Sequence, residues 1–444
     1  MSIHYGGRGP GHIARVQGGR YDYFVSDTTG NDSNDGLTPS TAWQSLNKIT
    51  GALIASSQTK RVLVMAGTYD KATDDLYVNV GTKTNTTFVV TFEPGCTIDG
   101  TAFASGTQNG VGYRCDTASD RTNRFYCYGN NCVIQNVTTT DGNGIDGSGG
   151  GVAYYYDFEV TNARDGISIH ETQEAEFHNI RVRDCLKWAA AHVGSCVVRH
   201  YHCTFADENN TATLGGLVAF TTAGSVSNYD TIFLPGTTFR SAHLNITLGP
   251  STFERCRLGT LTRIVELQPT SSGTATATKC FLNANWDGIF GATALTRCFG
   301  KFTARTGNAG GGLTMTHCAI SGPCTGKSNV FYSNYNPGSS VAFIVNNNIF
   351  ETASFMSVDA TNAGYLVAAG SDFHNNVTFG STYDADLVSA GADIVGTVTS
   401  DPLIGAANTL LMADYAYAAG SPAIGAGEGG VNIGFAASEV EELA

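Results

Sequence analysis

The segment from Asn179 to Phe205, NIRVRDCLKWAAAHVGSCVVRHYHCTF, opens on Asn179-Ile180-Arg181-Val182 and closes on Cys203-Thr204-Phe205. Each end is an Asn or Cys anchor with an apolar side chain within the next two residues. Anchors of this kind recur at Asn136, Asp157, Asp230, Cys256, Cys280, Cys298, Cys318, Asn348 and Asn376, with successive members 18 to 30 residues apart. Between them lie short runs rich in Val, Ile, Phe and Thr that alternate with period two, split by turns of Gly, Asn, Asp and Ser. A strand so short buries one face and cannot form a core alone, so the repeats must stack. Coils stacked about 4.8 Å apart bring equivalent side chains into ladders. Leucine-rich repeats need regularly spaced leucines, which are absent, and propellers need four strands in a repeat of about 40 residues. The expected fold is therefore all-β, a single-stranded right-handed parallel β-helix. Over Thr41 to Ala55, Trp43, Leu46, Ile49, Leu53 and Ile54 share one helical face, which predicts a short amino-terminal capping helix.

Composition fits one solenoid. A chain of 444 residues would ordinarily divide into two or three compact domains, but a solenoid absorbs that length in about a dozen coils. Glycine at 54 residues with only 10 prolines excludes a collagen-like chain, and 42% hydrophobic residues exclude disorder. A net charge of −13 argues against nucleic acid or an anionic membrane face as partner. The apolar runs fall short of the roughly 18 residues that a membrane span needs. The amino terminus, MSIHYGGRGPGHIARVQGG, has no apolar stretch like that of a secretory signal, so a route other than secretion is expected.

Twelve cysteines invite a disulfide reading. Cys203, Cys256, Cys280, Cys298 and Cys318 stand at the repeat anchor that Asn or Asp fills elsewhere, so they are expected to point inward as a ladder of free thiols. Stacked side chains with parallel Cβ directions have poor disulfide geometry. Cys127 and Cys132 flank a YGNN turn and are either bridged across it or free. Zinc spacing is absent, and no metal site is expected from the cysteines.

The stretch YFVSDTTGNDSNDGLTPSTAWQSLNKI (Tyr23 to Ile49) resembles the opening of pectin-lyase-like right-handed parallel β-helix proteins. VLVMAGTYD (Val62 to Asp70) and FEPGCTIDG (Phe92 to Gly100) resemble their first coils. DPL (Asp401 to Leu403), AAGSPAIGAG (Ala418 to Gly427) and NIGF (Asn432 to Phe435) resemble their closing segment. The resemblance implies a particle-docking extension over 1–22, a β-helix over 23–436 with a cap at 23–60 and a closing segment at 401–436, and a tail at 437–444. It covers enzymes, phage tailspikes and adhesins alike, and so specifies fold more than activity. The GHG and RIK segments and paired aspartates of a polygalacturonase are missing.

In that superfamily saccharide lies along one parallel sheet. Aligning Gly144-Ile145-Asp146-Gly147-Ser148, Gly166-Ile167-Ser168-Ile169-His170 and Trp188-Ala189-Ala190-Ala191-His192 puts Ile145, Ile167 and Ala189 inward. Asp146, Ser168 and Ala190 then form one outward column, and Ser148, His170 and His192 the next. Asp141, Arg164, Asp165, Glu171 and Lys187 flank them. Catalytic candidates are Asp146, Asp165, His170, Glu171 and His192, and substrate-binding candidates are Asp141, Arg164, Lys187 and Trp188. A glycosidase would use paired carboxyls. A uronate lyase would use a base and cations that stabilise the enolate, for which His170, His192, Lys187 and Arg164 are available. Asp165-Gly166 also fits a turn pair. The loop Gly30 to Gly36 either ligates Ca2+ through Asp32 and Asp35 or is a hydrogen-bonded turn.

The expected function is that of a bacteriophage virion spike that binds, and on one reading depolymerises, a bacterial cell-surface polysaccharide. A homotrimer docked to other virion proteins through its amino-terminal segment, and a virion or extracellular location, go with it. A secreted polysaccharide lyase or glycoside hydrolase is the alternative, and a non-enzymatic virion decoration the third reading. The short tail after the closing motif leaves little chain for a trimerisation domain.

Overall fold

The computed structural model describes residues 20–434 apart from 105–107, 208–215, 237–242, 247–248, 270–273, 290–292, 307–311, 324–329, 334–341, 352–355, 359, 380–381, 405–414 and 428–429. Almost all of the expected docking extension and the whole carboxyl-terminal tail lie outside the described residues. The chain is a parallel β-helix. The first of its three sheets stacks Leu76–Asn79, Val111–Cys115, Asn143–Gly149, Asp165–Ile169, Trp188–Gly194 and Gly216–Thr222 in parallel register. Glu174–His178, Val197–Tyr201 and Ser225–Tyr229 belong to the second, and Arg181–Arg183, Thr204–Ala206 and Ile232–Leu234 to the third. Outside the second sheet, rings repeat at the coil spacing: Tyr128, Tyr156, His178, Tyr201 and Tyr229 stack at 4.6–5.0 Å between centroids.

From the coil of Tyr128 onward a left-handed residue turns each corner from the second sheet to the third, joined in that first coil by a second, Asn130. The series is Asn131, Asp157, Asn179, His202, Asp230, Arg255, Lys279, Arg297, His317, Asn347 and Asn375, with φ between 49° and 65°. Asn and Asp tolerate that region best because their short polar side chains can bond locally; here they also link successive coils, as where Asn179 Nδ2 donates to Asp157 Oδ1 at 2.7 Å. The next residue points inward, and Cys132, Phe158, Ile180, Cys203, Thr231, Cys256, Cys280, Cys298, Cys318, Asn348 and Asn376 are all buried. The sequence anchors therefore belong to adjacent columns. Asp157, Asn179 and Asp230 make the bend, the cysteines follow it, and Asn136 sits at a separate corner with Asn162 and Asp184. Asn348 and Asn376 alone among the anchor asparagines share the cysteine column: Cys318 N donates to Asn348 Oδ1 at 2.9 Å and Asn348 N to Asn376 Oδ1 at 3.0 Å.

All eleven described cysteines are buried free thiols, Cys127 and Cys132 included. Burial pushes the Cys203 thiol up to about 12 and that of Cys280 well above its ordinary range.

The capping helix is replaced by three single 3-10 turns, Pro39–Thr41, Leu46–Lys48 and Gly51–Leu53. The amides that would continue an α-helix are claimed elsewhere. Gln44 N and Ser45 N donate to Asp32 Oδ1, Leu46 N to Asp74 Oδ1 and Asn47 N to Thr73 O. Trp43, Leu46, Ile49 and Ile54 still reach the core, as the helical face predicted, because the turns follow the same side. The α-helices lie instead near the far end, at Ala360–Ala368 and Ala385–Ser389. There Tyr415, Ala416, Tyr417, Ala423 and Ile433 of the closing segment pack on Phe281, Phe299, Ala319, Ile349 and Val377.

Candidate functional site

Register in the first sheet decides which side chains face outward. Ile145 pairs with Ile167 and Ile167 with Ala190, and all three are buried. The sequence reading paired Ile167 with Ala189, one residue early, and a one-residue slip exchanges the two faces of a strand. Ala189-Ala190-Ala191 has no size contrast to mark its inward member, so the slip is invisible in composition. Its consequence falls on His192, which is in register with Ile169 and Phe220 and is 0% exposed. His192 is therefore a core residue and no part of the outward cluster. Ala191, not Ala190, stands beside Ser168.

The outward floor consists of Asp146, Ser148, Ser168 and Ala191, none more than 9% exposed. Tyr77 and Gly112 precede Asp146 in its column, and Asn79 and Arg114 precede Ser148 in the next. A Cβ on Gly112 would lie 2.6 Å from Tyr77 Cδ2. The glycine thus leaves room for the Tyr77 ring to cross a coil and reach Ser148 and Arg114 with its hydroxyl. Burial raises the Tyr77 pKa, and the Arg114 guanidinium opposes the rise. Arg114 Nε is held by Asp116 Oδ1 at 2.7 Å.

His170 stands at the rim. Its Nε2 is 2.7 Å from Ser168 Oγ and 3.5 Å from Asp146 Oδ1. The same Asp146 oxygen accepts from Asn143 Nδ2 at 2.9 Å. The contact with Asp146 raises the His170 pKa, burial opposes it, and the charges of Asp165 and Glu171 add to the rise.

Asp165 lies at the start of its strand, in register with Asn143 and Trp188, and is 4% exposed. Oδ2 accepts from Arg164 Nη1 at 3.0 Å, while the buried Oδ1 has no partner. Burial raises its pKa against the pull of Lys187, Arg164, the Trp188 amide and His170. Lys187 N donates to Arg164 O at 2.8 Å, which aligns the two cationic residues on successive coils. Trp188 is half-buried beside them, and Asp141 occupies an exposed turn. Glu171 is exposed with φ 61°, and its carboxylate acts on both Arg114 and His170.

Asp146, Asp165, His170, Glu171, Arg164 and Lys187 thus converge as the sequence predicted. Tyr77, Arg114 and Asn143 were missed. The first two sit on coils separated by more than thirty residues of insertion-bearing chain, where the anchor spacing fails. The assembled groups offer a base (His170), a buried carboxyl that holds its proton longer than usual (Asp165), a second carboxyl (Asp146) and three cations.

Among the described residues no group of three or more His, Cys, Asp or Glu side chains converges at metal-ligand spacing. In the amino-terminal loop Asp32 accepts from Gln44 N, Ser45 N and Ser45 Oγ, and Asp35 from Leu37 N and Thr41 Oγ1. Both carboxylates staple the turn.

No family model and no curated protein matches this sequence. Among solved structures, a crystal structure of the pectate lyase Pel9A aligns over 93% of this chain and 96% of that chain, with 13% sequence identity and a TM-score of 0.39.

Proposed function

We propose that this protein is a bacteriophage-type virion spike that binds an acidic bacterial cell-surface polysaccharide and cleaves it by β-elimination. The observation that carries the reaction is that the outward face bearing His170 also carries Arg114, in register with Ser148, and Arg164 and Lys187, which both act on Asp165, on a chain whose net charge is −13. Cations collected at one place on an acidic protein favour an anionic group there. In the proposed step a uronate carboxylate meets the cations, and neutral His170 takes the proton α to it. Arg114 and Lys187 stabilise the enolate charge that develops. Asp165, with its raised pKa, supplies the proton to the departing glycosidic oxygen.

The same raised pKa favours one second reading, hydrolysis with Asp165 as acid and Asp146 as base or nucleophile. Incubation with acidic capsular or lipopolysaccharide preparations separates the two. β-Elimination yields the ultraviolet absorbance of an unsaturated uronate, hydrolysis yields reducing ends without it, and neither product leaves a binding or decorative spike.

The virion assignment is supported by a chain poor in charged residues, 14% of the total, and by long parallel stacks, which should unfold slowly. A homotrimer docked through the Gly-rich amino-terminal segment goes with it. Mass measurement in solution tests this, since a monomer would favour a secreted enzyme.

A further inference from the structure

The residue that the register moved inward belongs to a polar chain inside the β-helix. His192 and His200 are both 0% exposed, with their Nε2 atoms 3.2 Å apart. His200 Nδ1 lies 2.9 Å from Asn228 Oδ1, and Asn228 Nδ2 donates to Thr252 O at 3.0 Å. His192 Nδ1 is buried and has no hydrogen-bond partner. Phe177, Phe205 and Phe220 wall the rings at centroid distances of 5.0–5.5 Å.

Only one arrangement of protons satisfies this chain. The Asn228 amide nitrogen is committed to a carbonyl, so its oxygen faces His200, which must carry its proton on Nδ1 and leave Nε2 bare. His192 then donates from Nε2, and its own Nδ1 is left bare. Both rings are neutral, and the one vacant basic nitrogen lies in the core.

We propose that His192, His200 and Asn228 form an acid-sensitive latch behind the candidate site, closed while both imidazoles are neutral and released when His192 takes up a proton. A proton on His192 Nδ1 makes a buried cation. Of the groups acting on it, His200 and His170 carry the same sign, and only the Ala191 carbonyl favours the charge. His200 has neutral Asn228 and three phenylalanine rings about it, and no carboxylate acts on either ring. Uptake of a proton by His200 Nε2 would in turn set two N–H groups against each other. His192 lies on the strand Trp188–Gly194, which also carries Trp188 and Ala191, so release loosens one edge of the outward floor. The latch is independent of the reaction proposed above.

The sign follows from burial, which holds His192 well below 6.5 and His200 at about 4. A base with a depressed native pKa leaves stability intact above its unfolded value and removes it as pH falls toward the native value. Each ring costs a factor of about ten in the opening equilibrium per pH unit over that window. For His200 alone this amounts to about 300-fold between pH ~6.5 and ~4.

Hydrogen–deuterium exchange of the full chain, corrected for intrinsic rates, tests the latch. Protection over 188–194, 197–201 and 225–229 should fall at least about 100-fold across that window, and the fall should vanish in His192→Leu/His200→Leu. No fall in the native chain, or an equal fall in the double variant, overturns the proposal. Nitrogen NMR of the native imidazoles provides a readout that does not require the variant to fold. It should show Nδ1–H on His200 and Nε2–H on His192 persisting to about pH 5. Titration of either ring at its ordinary value overturns the latch.

Discussion

Ser168 Oγ and His170 Nε2 are 2.7 Å apart, and Asp146 Oδ1, one coil earlier, reaches the same nitrogen at 3.5 Å. Asp146 is the largest cause of the raised His170 pKa, so this contact sets the pH at which the imidazole becomes a free base. Asp146→Asn should move the His170 titration down toward about 6.5 and carry the basic rise of any β-eliminating activity to lower pH with it. Because the native value is raised, the contact stabilises the fold below the unfolded pKa and ceases to do so as pH rises through the folded one. Titration of the His170 ring signals by NMR in both proteins is the check. An unchanged midpoint would mean that the carboxylate does not act on this ring.

Tyr77 owes its place in the site, beside Arg114, to Gly112. A valine there would keep a good strand residue but drive its Cβ into the Tyr77 ring, 2.6 Å from Cδ2. We expect Gly112→Val to lower kcat/KM on an acidic polysaccharide as much as Tyr77→Ala does, with a stability loss of about 1–3 kcal/mol because the position is buried beneath the Tyr77 ring. Tyr77→Phe separates the hydroxyl from the ring. Full activity in Gly112→Val would move the reaction away from this face.

The stacking of coils was legible from anchors 18 to 30 residues apart, since each anchor marks a corner that the backbone must turn. What could not be read was the position within the corner. Asn179 bends the chain and Cys203 follows a bend made by His202, yet both look alike as a polar or small residue before apolar ones. The same one-residue ambiguity hid in Ala189-Ala190-Ala191 and put His192 on the wrong face. His170 was placed correctly because Ile167 and Ile169 frame Ser168 with clear alternation. The cap went wrong for a different reason. Its apolar spacing is helical, but Asp32 and Asp74 draw the backbone amides away from a helix, and contacts between residues so distant leave no periodic trace.

The free cysteines give a prediction about redox conditions. All eleven described thiols are buried, and burial raises the pKa values of Cys132, Cys185, Cys203, Cys280 and Cys318. Thiolate, the reactive form, is therefore scarce and shielded. The native chain should show none of these thiols reacting with a maleimide, and all of them after denaturation without reductant. Dithiothreitol should leave the melting temperature unchanged. A Cys127–Cys132 pair that resists alkylation until reduced would contradict the free-thiol assignment.

Along the inward column that follows the corner, asparagine and cysteine hold the coils by different means, and substitution should separate them. Cys280 is a small group with only weak sulfur hydrogen bonds: Sγ accepts from Cys256 N at 3.4 Å and lies 3.4 Å from Phe253 O and Thr278 O. Cys280→Ala should cost about 1–1.5 kcal/mol, the loss of one buried group of methylene size with a little residual cavity. Asn348 is equally buried but accepts from Cys318 N at 2.9 Å and donates to Met315 O at 2.8 Å and Asn346 O at 3.0 Å. Alanine there strands an amide and carbonyls from two coils, at about 1–3 kcal/mol for each group left without a partner. Asn348→Ala should therefore destabilise by about 3–5 kcal/mol, well beyond the cysteine variant. Urea midpoints, or unfolding rates if refolding is incomplete, measure the difference. Equal losses in the two variants would show that packing, not hydrogen bonding, holds this column together.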